Sequence, residues 1–209
     1  MESLRRHGGS WRVATEIGDI EAPTVLNCAG GWGGMLSAMV GEPVRLEIIT
    51  PMLMVTMRMP HFLRPTVRNA TQRCTLRLRP NGTLLMGGGR SVPDAEAMQS
   101  PIDFDVLTVM AGKICRMFPC MENAILQRAW SAVESQLPDN IPIIGPSNTE
   151  ERLFHAFGFS AHGFAISPII GVIMADLVLT GRTSLPITPF AIGRFRQGFE
   201  LRRTATARY

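Results

Sequence analysis

Cysteine is scarce in this sequence. The chain of 209 residues has four cysteines, and none of them forms a C-x-x-C pair or lies near a pair of histidines. This spacing argues against a zinc site and against a disulfide framework, so no metal site is predicted. We expect the cysteines to be small buried apolar residues, at Cys28, Cys74, Cys115 and Cys120.

Long apolar runs and clustered charge are also missing. No apolar run reaches the ~18 residues that a membrane helix needs, and no hydrophobic signal core follows the charged N-terminal residues. The net charge of +4 comes from scattered arginines and a basic end at Arg202, Arg203 and Arg208, without interleaved aromatic residues. The sequence therefore predicts a cytoplasmic protein with no membrane span and no nucleic-acid partner.

Apolar residues, by contrast, make up 45% of the chain, which is enough for one full core or two small ones. A glycine-bearing loop leads into an apolar segment between Gly158 and Gly181. Ser167 suits the N-cap of a helix, Pro168 its first position, and Gly181 the left-handed residue after its last turn. We predict a helix over residues 169–180, buried on nearly every side, whose positive N-terminal end faces whatever the loop binds. The residues alone leave two interpretations open: a cofactor-binding loop, or a buried helix with a glycine-rich entry turn.

A second glycine-rich turn follows a predicted buried strand that ends at Asn27. Residues 27–36 contain four glycines and lead into a predicted short helix over residues 35–40. The backbone of such a turn can approach a ligand closely, at the strand edge where open α/β sheets bind cofactors.

The middle of the chain has the pattern of a sheet covered by a helix. Apolar residues alternate from Cys74 to Leu78, Asn81-Gly82 predicts a hairpin turn, and residues 83–86 return the chain. The arginines on the other face are interpreted as solvated. Residues 104–118 have the spacing of an amphipathic helix with Asp103 as its cap. Pro51 predicts an edge strand or a break within the β-type run at residues 44–59.

These motifs resemble the D-amino-acid oxidase-like family of FAD-dependent oxidoreductases. The order G-F-S-A-H-G-F at residues 158–164, then Pro168, Gly171 and T-G-R at residues 180–182, is similar to the family's C-terminal flavin loop. N-C-A-G-G-W at residues 27–32 is similar to its second flavin-contacting turn. The segments at residues 138–145 and 189–195 also resemble family motifs. The resemblance is nearest to glycine and sarcosine oxidases and to the opine oxidase and hydrogen cyanide synthase subunits.

The resemblance implies noncovalent FAD and oxidation of the C–N bond of an amino acid or secondary amine by hydride transfer to flavin. It also implies an α/β (α+β) fold, with the C-terminal part of an FAD-binding Rossmann-like domain in residues 1–41 and 136–209. Residues 42–135 would form a mostly antiparallel substrate-domain sheet covered by a helix. The residues expected to line the flavin are Cys28, Ala29, Gly30, Trp32, Gly158, His162, Gly163, Phe164 and Ala165.

Two side chains are candidates for catalysis. His162 either hydrogen-bonds near the flavin ring and tunes its potential, or only packs beside the loop. Glu134 stands where glycine oxidase-like members carry a carboxylate-binding arginine. It either faces a secondary amine or cationic substrate, or is a solvated strand residue. Ala165 replaces the lysine of sarcosine oxidase-like members, and Ala132 stands about where monomeric sarcosine oxidase attaches FAD through cysteine, so the flavin is expected to be noncovalent.

The family's G-x-G-x-x-G unit, which holds the FAD pyrophosphate, is absent from this sequence. Gly87-Gly88-Gly89 does not replace it, because this triplet follows a hairpin. The chain therefore resembles only the C-terminal half of such an enzyme. Three explanations are expected: a separate partner chain supplies the N-terminal half, the gene is a truncated relative, or this sequence is a fragment. The alternative to an oxidoreductase is a non-catalytic truncated relative or an assembly subunit.

Overall fold

A computed structural model of the protein describes residues 1–71, 74–94 and 99–195. The basic end predicted at residues 202–208 lies outside the described residues, as does the C-terminal part of the predicted segment 136–209. The chain divides into two compact units: Met1–Glu47 with the chain from Ser135, and Ile48–Glu134.

The described residues contain three runs of strands, each followed by one α-helix. The strands are β1 (Ser3–His7), β2 (Ser10–Thr15), β3 (Gly18–Ala22), β4 (Val25–Asn27), β5 (Glu47–Ile49), β6 (Pro51–Thr56), β7 (Val67–Asn69), β8 (Cys74–Leu78), β9 (Leu84–Arg90), β10 (Leu126–Ser131), β11 (Glu134–Gln136), β12 (Ile143–Pro146) and β13 (Leu153–Phe157). The helices are α1 (Gly33–Met39), α2 (Phe104–Met117) and α3 (Gly163–Thr180).

The first unit contains two three-stranded sheets. β1, β2 and β3 form an antiparallel sheet. The other sheet has the order β12-β13-β4, with β12 antiparallel and β4 parallel to β13. Leu4 and Trp11 from the first sheet and Leu153 from the second form one buried cluster, so apolar contact holds the two sheets together.

The second unit is a five-stranded antiparallel sheet with the order β10-β6-β9-β8-β7, covered by α2. The predicted hairpin is confirmed, since β8 pairs with β9 and Gly82 has the positive φ of 85° that such a turn requires. The predicted cap of α2 is also confirmed: Asp103 Oδ1 accepts a hydrogen bond of 3.0 Å from the amide of Val106. Pro51 marks a break between β5 and β6, but the edge-strand prediction is wrong because β6 is central.

The start of α3 differs from the sequence prediction. The helix begins at Gly163, and Pro168 lies inside it rather than at its first position. Proline has no amide hydrogen for the carbonyl of Phe164, four residues earlier, and the Ser167 hydroxyl donates to that oxygen instead at 3.1 Å. Ser167 is therefore not the N-cap. The predicted end is confirmed, because Gly181 has a φ of 74° and its amide donates to Leu177 O.

The prediction that α3 is buried on nearly every side is also wrong. Ile170, Ile173, Met174 and Leu177 are buried with Ile144 and Ala156 in one cluster. The opposite face carries exposed apolar side chains, of which Phe164 (99% exposed) and Leu179 (81%) are the most accessible.

Helix α3 matches a membrane-spanning segment in length and apolar composition, with 18 residues and a mean hydropathy of 1.9. The core helix of a soluble protein passes the same test. The buried side of α3 packs on β12 and β13, as in a core helix. The exposed apolar side is the feature that an ordinary core helix does not have.

The four cysteines are free thiols, but they do not share one environment. Cys74 is buried and Cys115 half-buried, as expected, whereas Cys28 and Cys120 are exposed. The prediction of burial is therefore wrong for the latter two, which lie in a turn and in a short 3₁₀ helix at the surface. Within residues 1–71, 74–94 and 99–195, no group of histidine, cysteine and acidic side chains has the arrangement of a metal site.

The two C-terminal motifs are joined by Arg194. Its guanidinium donates to both carboxylate oxygens of Asp139, at 2.8 Å and 3.4 Å, and to the carbonyls of Ile141 and Ala191. The group also stacks over Phe195, 4.3 Å from the ring centroid. A forked cation suits this task, because it makes several directed bonds at once.

Candidate functional site

The two glycine turns lie at the same edge of one sheet. In the parallel pair of β4 and β13, Val25 is opposite Leu153 and Asn27 is opposite His155. Residues 28–32 follow β4 and residues 158–162 follow β13. Because both strands run in the same direction, both turns leave from their C-terminal ends, which is where open α/β sheets bind ligands.

Ser135 connects the two turns. Its hydroxyl donates to the carbonyl of Gly30 at 3.2 Å, and its own carbonyl accepts from the amide of Ser160 at 3.3 Å. Ser160 Oγ in turn accepts from the amide of Leu137, also at 3.3 Å. Both serines are buried. Sequence reasoning missed Ser135, since a lone serine in a short strand carries no recognisable signal.

The second turn has an unusual backbone. Gly158, Ser160 and Ala161 all have positive φ angles, of 75°, 49° and 69°. This conformation costs residues other than glycine about 1 to 2 kcal/mol each, and such strain concentrates at ligand sites. At Gly158 a side chain is also excluded by space, since a Cβ atom would lie 2.9 Å from Leu137 Cγ. The strained backbone conformation of this turn is therefore maintained by the residues that pack around it.

The first turn leaves open space beside it. Gly30 has a φ of 54°, and a Cβ atom built there would meet no atom within 4 Å. Gly33, three residues later, has no such room, because a Cβ atom would lie 2.7 Å from Cβ of the buried Phe157. The glycines thus have two different tasks: Gly33 permits close packing, and Gly30 presents bare backbone to the space outside.

The residues expected to line the flavin are mostly accessible. His162 is exposed and is the N-cap residue of α3, where no side chain caps the helix. The interpretation of His162 as a packed residue therefore does not hold. The uncapped amides of the first helical turn give this end a partial positive charge. Of the remaining positions, only Gly158 is buried; the exposed or half-buried ones are Cys28, Ala29, Gly30, Trp32, Gly163, Phe164 and Ala165.

A buried network of polar side chains holds the backbone of the first turn in place. His155 Nε2 lies 3.1 Å from Glu42 Oε2, and both side chains are 1% exposed. Asn27 Nδ2 lies 3.2 Å from His155 Nδ1 and donates to Gly33 O at 2.8 Å. Since Asn27 Nδ2 can only donate, His155 Nδ1 accepts, and the proton of the neutral imidazole is on Nε2, directed at Glu42.

The carboxylate of Glu42 is fully engaged. Besides His155 it accepts from Ser147 Oγ at 2.6 Å and from the amide of Asn148 at 2.8 Å. Burial lowers the pKa of His155, while the hydrogen bond and the charge of Glu42 oppose that shift. Asn27 Oδ1 also accepts from the amide of Ala29 at 3.3 Å, so the network fixes the backbone of the turn itself.

Glu134 differs from these residues because one of its oxygens has no partner. The side chain is half-buried, and Oε2 is shielded from solvent without a hydrogen bond to any residue that the structure describes. Both interpretations of Glu134, a residue that faces the substrate and a solvated strand residue, stay predictions. Glu134 directly precedes Ser135, the residue that joins the two turns.

The sequence matches the family described as FAD dependent oxidoreductase (DAO) over residues 1–177. The chain belongs to this family. Several relatives share 28% identity with it. These are the Hydrogen cyanide synthase subunit HcnC of Pseudomonas aeruginosa, over 86% of this chain and 42% of that protein, and the Glycine oxidase of Geobacillus kaustophilus, over 91% and 50%. The mitochondrial Sarcosine dehydrogenase of Mus musculus matches over 88% of this chain and 21% of that protein. This chain spans half of their length or less.

Solved structures show the same fold. The glycine oxidase of Geobacillus kaustophilus superimposes with a TM-score of 0.85 at 23% identity, over 92% of this chain and 51% of that one. The L-proline dehydrogenase from P. horikoshii gives a TM-score of 0.82 at 23% identity, over 94% and 54%. The mixed α/β fold predicted from the sequence is therefore confirmed.

The residues at the two turns fit the cofactor that this family uses, which is FAD. Gly30 offers open space beside bare backbone, and the uncapped start of α3 offers amide donors to an electron-rich ring edge. These features suit a flavin better than they suit a closed protein core.

Proposed function

We propose that this chain is the C-terminal half of an FAD-dependent oxidoreductase that oxidises the C–N bond of an amino acid or secondary amine. The observation that supports this most directly is the pair of glycine turns, joined by Ser135 at one sheet edge, in a chain of the FAD dependent oxidoreductase family. Bound FAD would supply a hydride acceptor for the carbon next to the amine, whose nitrogen would lose a proton, and water would hydrolyse the resulting imine.

The chain's own residues would bind the flavin and orient it. The backbone at residues 28–32 and 158–165 would line the flavin, and the positive end of α3 would favour negative charge that collects at the ring. His162 would hydrogen-bond near that ring. With alanine at position 132, the flavin would be held without a covalent bond. In this proposal residues 1–41 and 136–209 belong to the FAD-binding portion, and residues 42–135 to the substrate domain.

The pyrophosphate of FAD would be held by a second segment that carries the G-x-G-x-x-G unit. Two features support this. The relatives are at least twice as long as the matched region. In addition, Leu26 on β4 and Phe164, Val172 and Leu179 on α3 leave apolar side chains exposed, as expected of surfaces that a further part of an α/β domain would cover. A separate chain is the partner we propose for this segment.

A flavin titration tests the proposal. The purified chain is titrated with FAD, and binding is followed by the change in flavin fluorescence, first alone and then co-expressed with a chain that carries the missing half. We expect Gly30→Ala to weaken binding, because the new methyl group enters the open space beside the turn. Gly8→Ala is the matched control: Gly8 has a similar φ of 62° and also meets no atom within 4 Å.

Activity is then measured on the loaded protein. Amines and amino acids are added without oxygen, and loss of the visible absorption of oxidised flavin reports reduction. Bleaching by an amine supports the oxidoreductase. FAD binding without bleaching by any amine favours the alternative, a non-catalytic assembly subunit. Failure to bind FAD both alone and with the partner chain contradicts the proposal.

A further inference from the structure

The side-chain amide of Asn27 is held in one orientation by three hydrogen bonds. Asn27 is the last residue of β4, directly before the first glycine turn. Its Oδ1 accepts from the amide of Ala29 at 3.3 Å, and its Nδ2 donates to the carbonyl of Gly33 at 2.8 Å. The third bond joins Asn27 Nδ2 to Nδ1 of the buried His155 at 3.2 Å. One side chain therefore binds the backbone at both ends of residues 29–33, and it relies on an acceptor from β13.

This acceptor exists only while the imidazole of His155 is neutral. A protonated imidazole carries an N–H group at both ring nitrogens, so Nδ1 would direct a proton at the Nδ2 donor of Asn27. Turning the Asn27 amide over does not restore the bonds. Its Oδ1 would then face the carbonyl of Gly33, and its Nδ2 would face the amide of Ala29. Protonation of His155 therefore removes the contacts that position the first turn.

Glu42 is the charged group that contacts His155 within the described part of the chain. Around β13, the strands β4 and β12, helix α1 and the first glycine turn carry no titratable side chain except the exposed Cys28 thiol, and Asp176 of α3 accepts a hydrogen bond from Thr183. The charged residues of β1 and β2, which pack on Leu153, are exposed. Burial lowers the pKa of His155 while Glu42 opposes that shift, so the folded protein binds this proton below pH 6.5.

We propose that His155 is a positioning residue for flavin binding: its neutral imidazole keeps the first glycine turn in the flavin-binding conformation through Asn27, and its protonation releases the turn. FAD affinity therefore decreases in acid, over the range in which His155 protonates in the folded protein. This inference rests on the proposed function, because it concerns the same flavin site. It adds to that site a residue that lies 128 positions from Asn27 and outside both turns.

Flavin titrations at a series of pH values test this role, under the conditions in which the wild-type protein binds FAD. The affinity should be constant above pH 6.5 and should decrease below it, by at most about tenfold per pH unit for one proton. His155→Gln, which does not titrate, should lose the decrease. Asn27→Ala should bind FAD more weakly at neutral pH and should also lose the decrease, because its His155 titrates without a contact to the turn. Circular dichroism at each pH confirms that the proteins compared are folded.

His162→Gln is the matched control, because it removes a histidine that lies at the proposed flavin site itself. It should retain the decrease in affinity. A decrease that is lost in His162→Gln and kept in His155→Gln would assign the pH dependence to direct contact with the flavin, and would overturn the inference.

NMR without flavin provides an independent readout. The ring signals of His155 follow its protonation, and the backbone amide signal of Ala29 reports the first turn. In the wild-type protein both signals should change with the same midpoint, whereas in Asn27→Ala the Ala29 signal should no longer follow the ring. Bound FAD should lower the midpoint of His155, because the coupling between flavin binding and protonation is reciprocal.

Three further results would overturn the inference. They are an FAD affinity that decreases equally in the wild-type protein and in His155→Gln, a His155 ring that titrates without a change at Ala29, and a His155 ring that stays neutral down to about pH 4.5 in the folded protein. An Ala29 signal that follows His155 in a protein that takes up no FAD would support the positioning role while contradicting the proposed function.

Discussion

The buried histidine behind the first glycine turn makes the stability of the first unit depend on pH. His155 and Glu42 are each 1% exposed, and His155 also contacts Asn27, which holds the turn. Burial lowers the pKa of His155 from its ordinary value of 6.5. The substitution His155→Gln removes this titrating group while keeping a side chain that can form hydrogen bonds.

The sign of the effect follows from proton binding. Above pH 6.5 His155 is neutral in both the folded and the unfolded state. As the pH falls below 6.5, the unfolded chain binds a proton that the folded protein resists, so folding stability is lost. The loss continues down to the lowered pKa of the folded state. Its slope is at most about 1.4 kcal/mol per pH unit for a single proton.

Urea unfolding measures this slope. Trp11 is buried in the first unit, and once Trp130 of the other unit is replaced by phenylalanine in every protein compared, tryptophan fluorescence reports the unfolding of the first unit. Between about pH 5.5 and pH 7.5, the free energy of unfolding of the wild-type protein should fall with acidification more steeply than that of His155→Gln. At the upper pH the variant should be less stable by about 1 to 3 kcal/mol, because Glu42 and Asn27 lose a well-placed partner.

His61→Gln is the control, since His61 is an exposed histidine of the other unit. It should leave the slope as it is in the wild-type protein. Equal slopes for the wild-type protein and His155→Gln would refute the assignment of His155 as a neutral buried imidazole. A slope lost equally in both variants would assign the pH dependence to histidines in general.

Three further substitutions test packing and ion pairing, each by urea unfolding. Gly33→Ala should destabilise the protein by about 1 to 3 kcal/mol, because the new methyl group would collide with the buried Phe157. Gly171→Ala, inside α3 with no atom within 4 Å of the new group, should instead stabilise it by about 0.5 to 1 kcal/mol. Arg194→Lys should cost about 1 to 2 kcal/mol, since lysine cannot make the forked contact with Asp139. The opposite sign for either glycine, or no cost at Arg194, would contradict the packing described.

The features predicted correctly from the sequence depend on neighbouring residues. The hairpin turn at Asn81-Gly82, the Asp103 cap and the left-handed Gly181 each follow from a preference that acts within a few residues. The family was also identified correctly, because the glycine turns occur as continuous motifs.

The wrong or missing predictions concern features that depend on contacts between residues far apart in the sequence. Ser167 and Pro168 have the local features of a helix start, but α3 begins five residues before Pro168, with Ser167 supplying the bond that the proline lacks. The polar network behind the first turn could not be predicted, because His155 is 128 residues from Asn27 and 113 from Glu42. Which side of α3 is exposed likewise depends on packing that periodicity does not show for a uniformly apolar helix.

Hydrogen–deuterium exchange with and without FAD tests the central claim, that the two glycine turns together form the flavin site. The claim predicts that FAD protects amides in residues 28–34 and in residues 158–166, and that Gly30→Ala reduces this protection in both segments while Gly8→Ala does not. Protection confined to other segments, or FAD that is bound without protecting either turn, would contradict it.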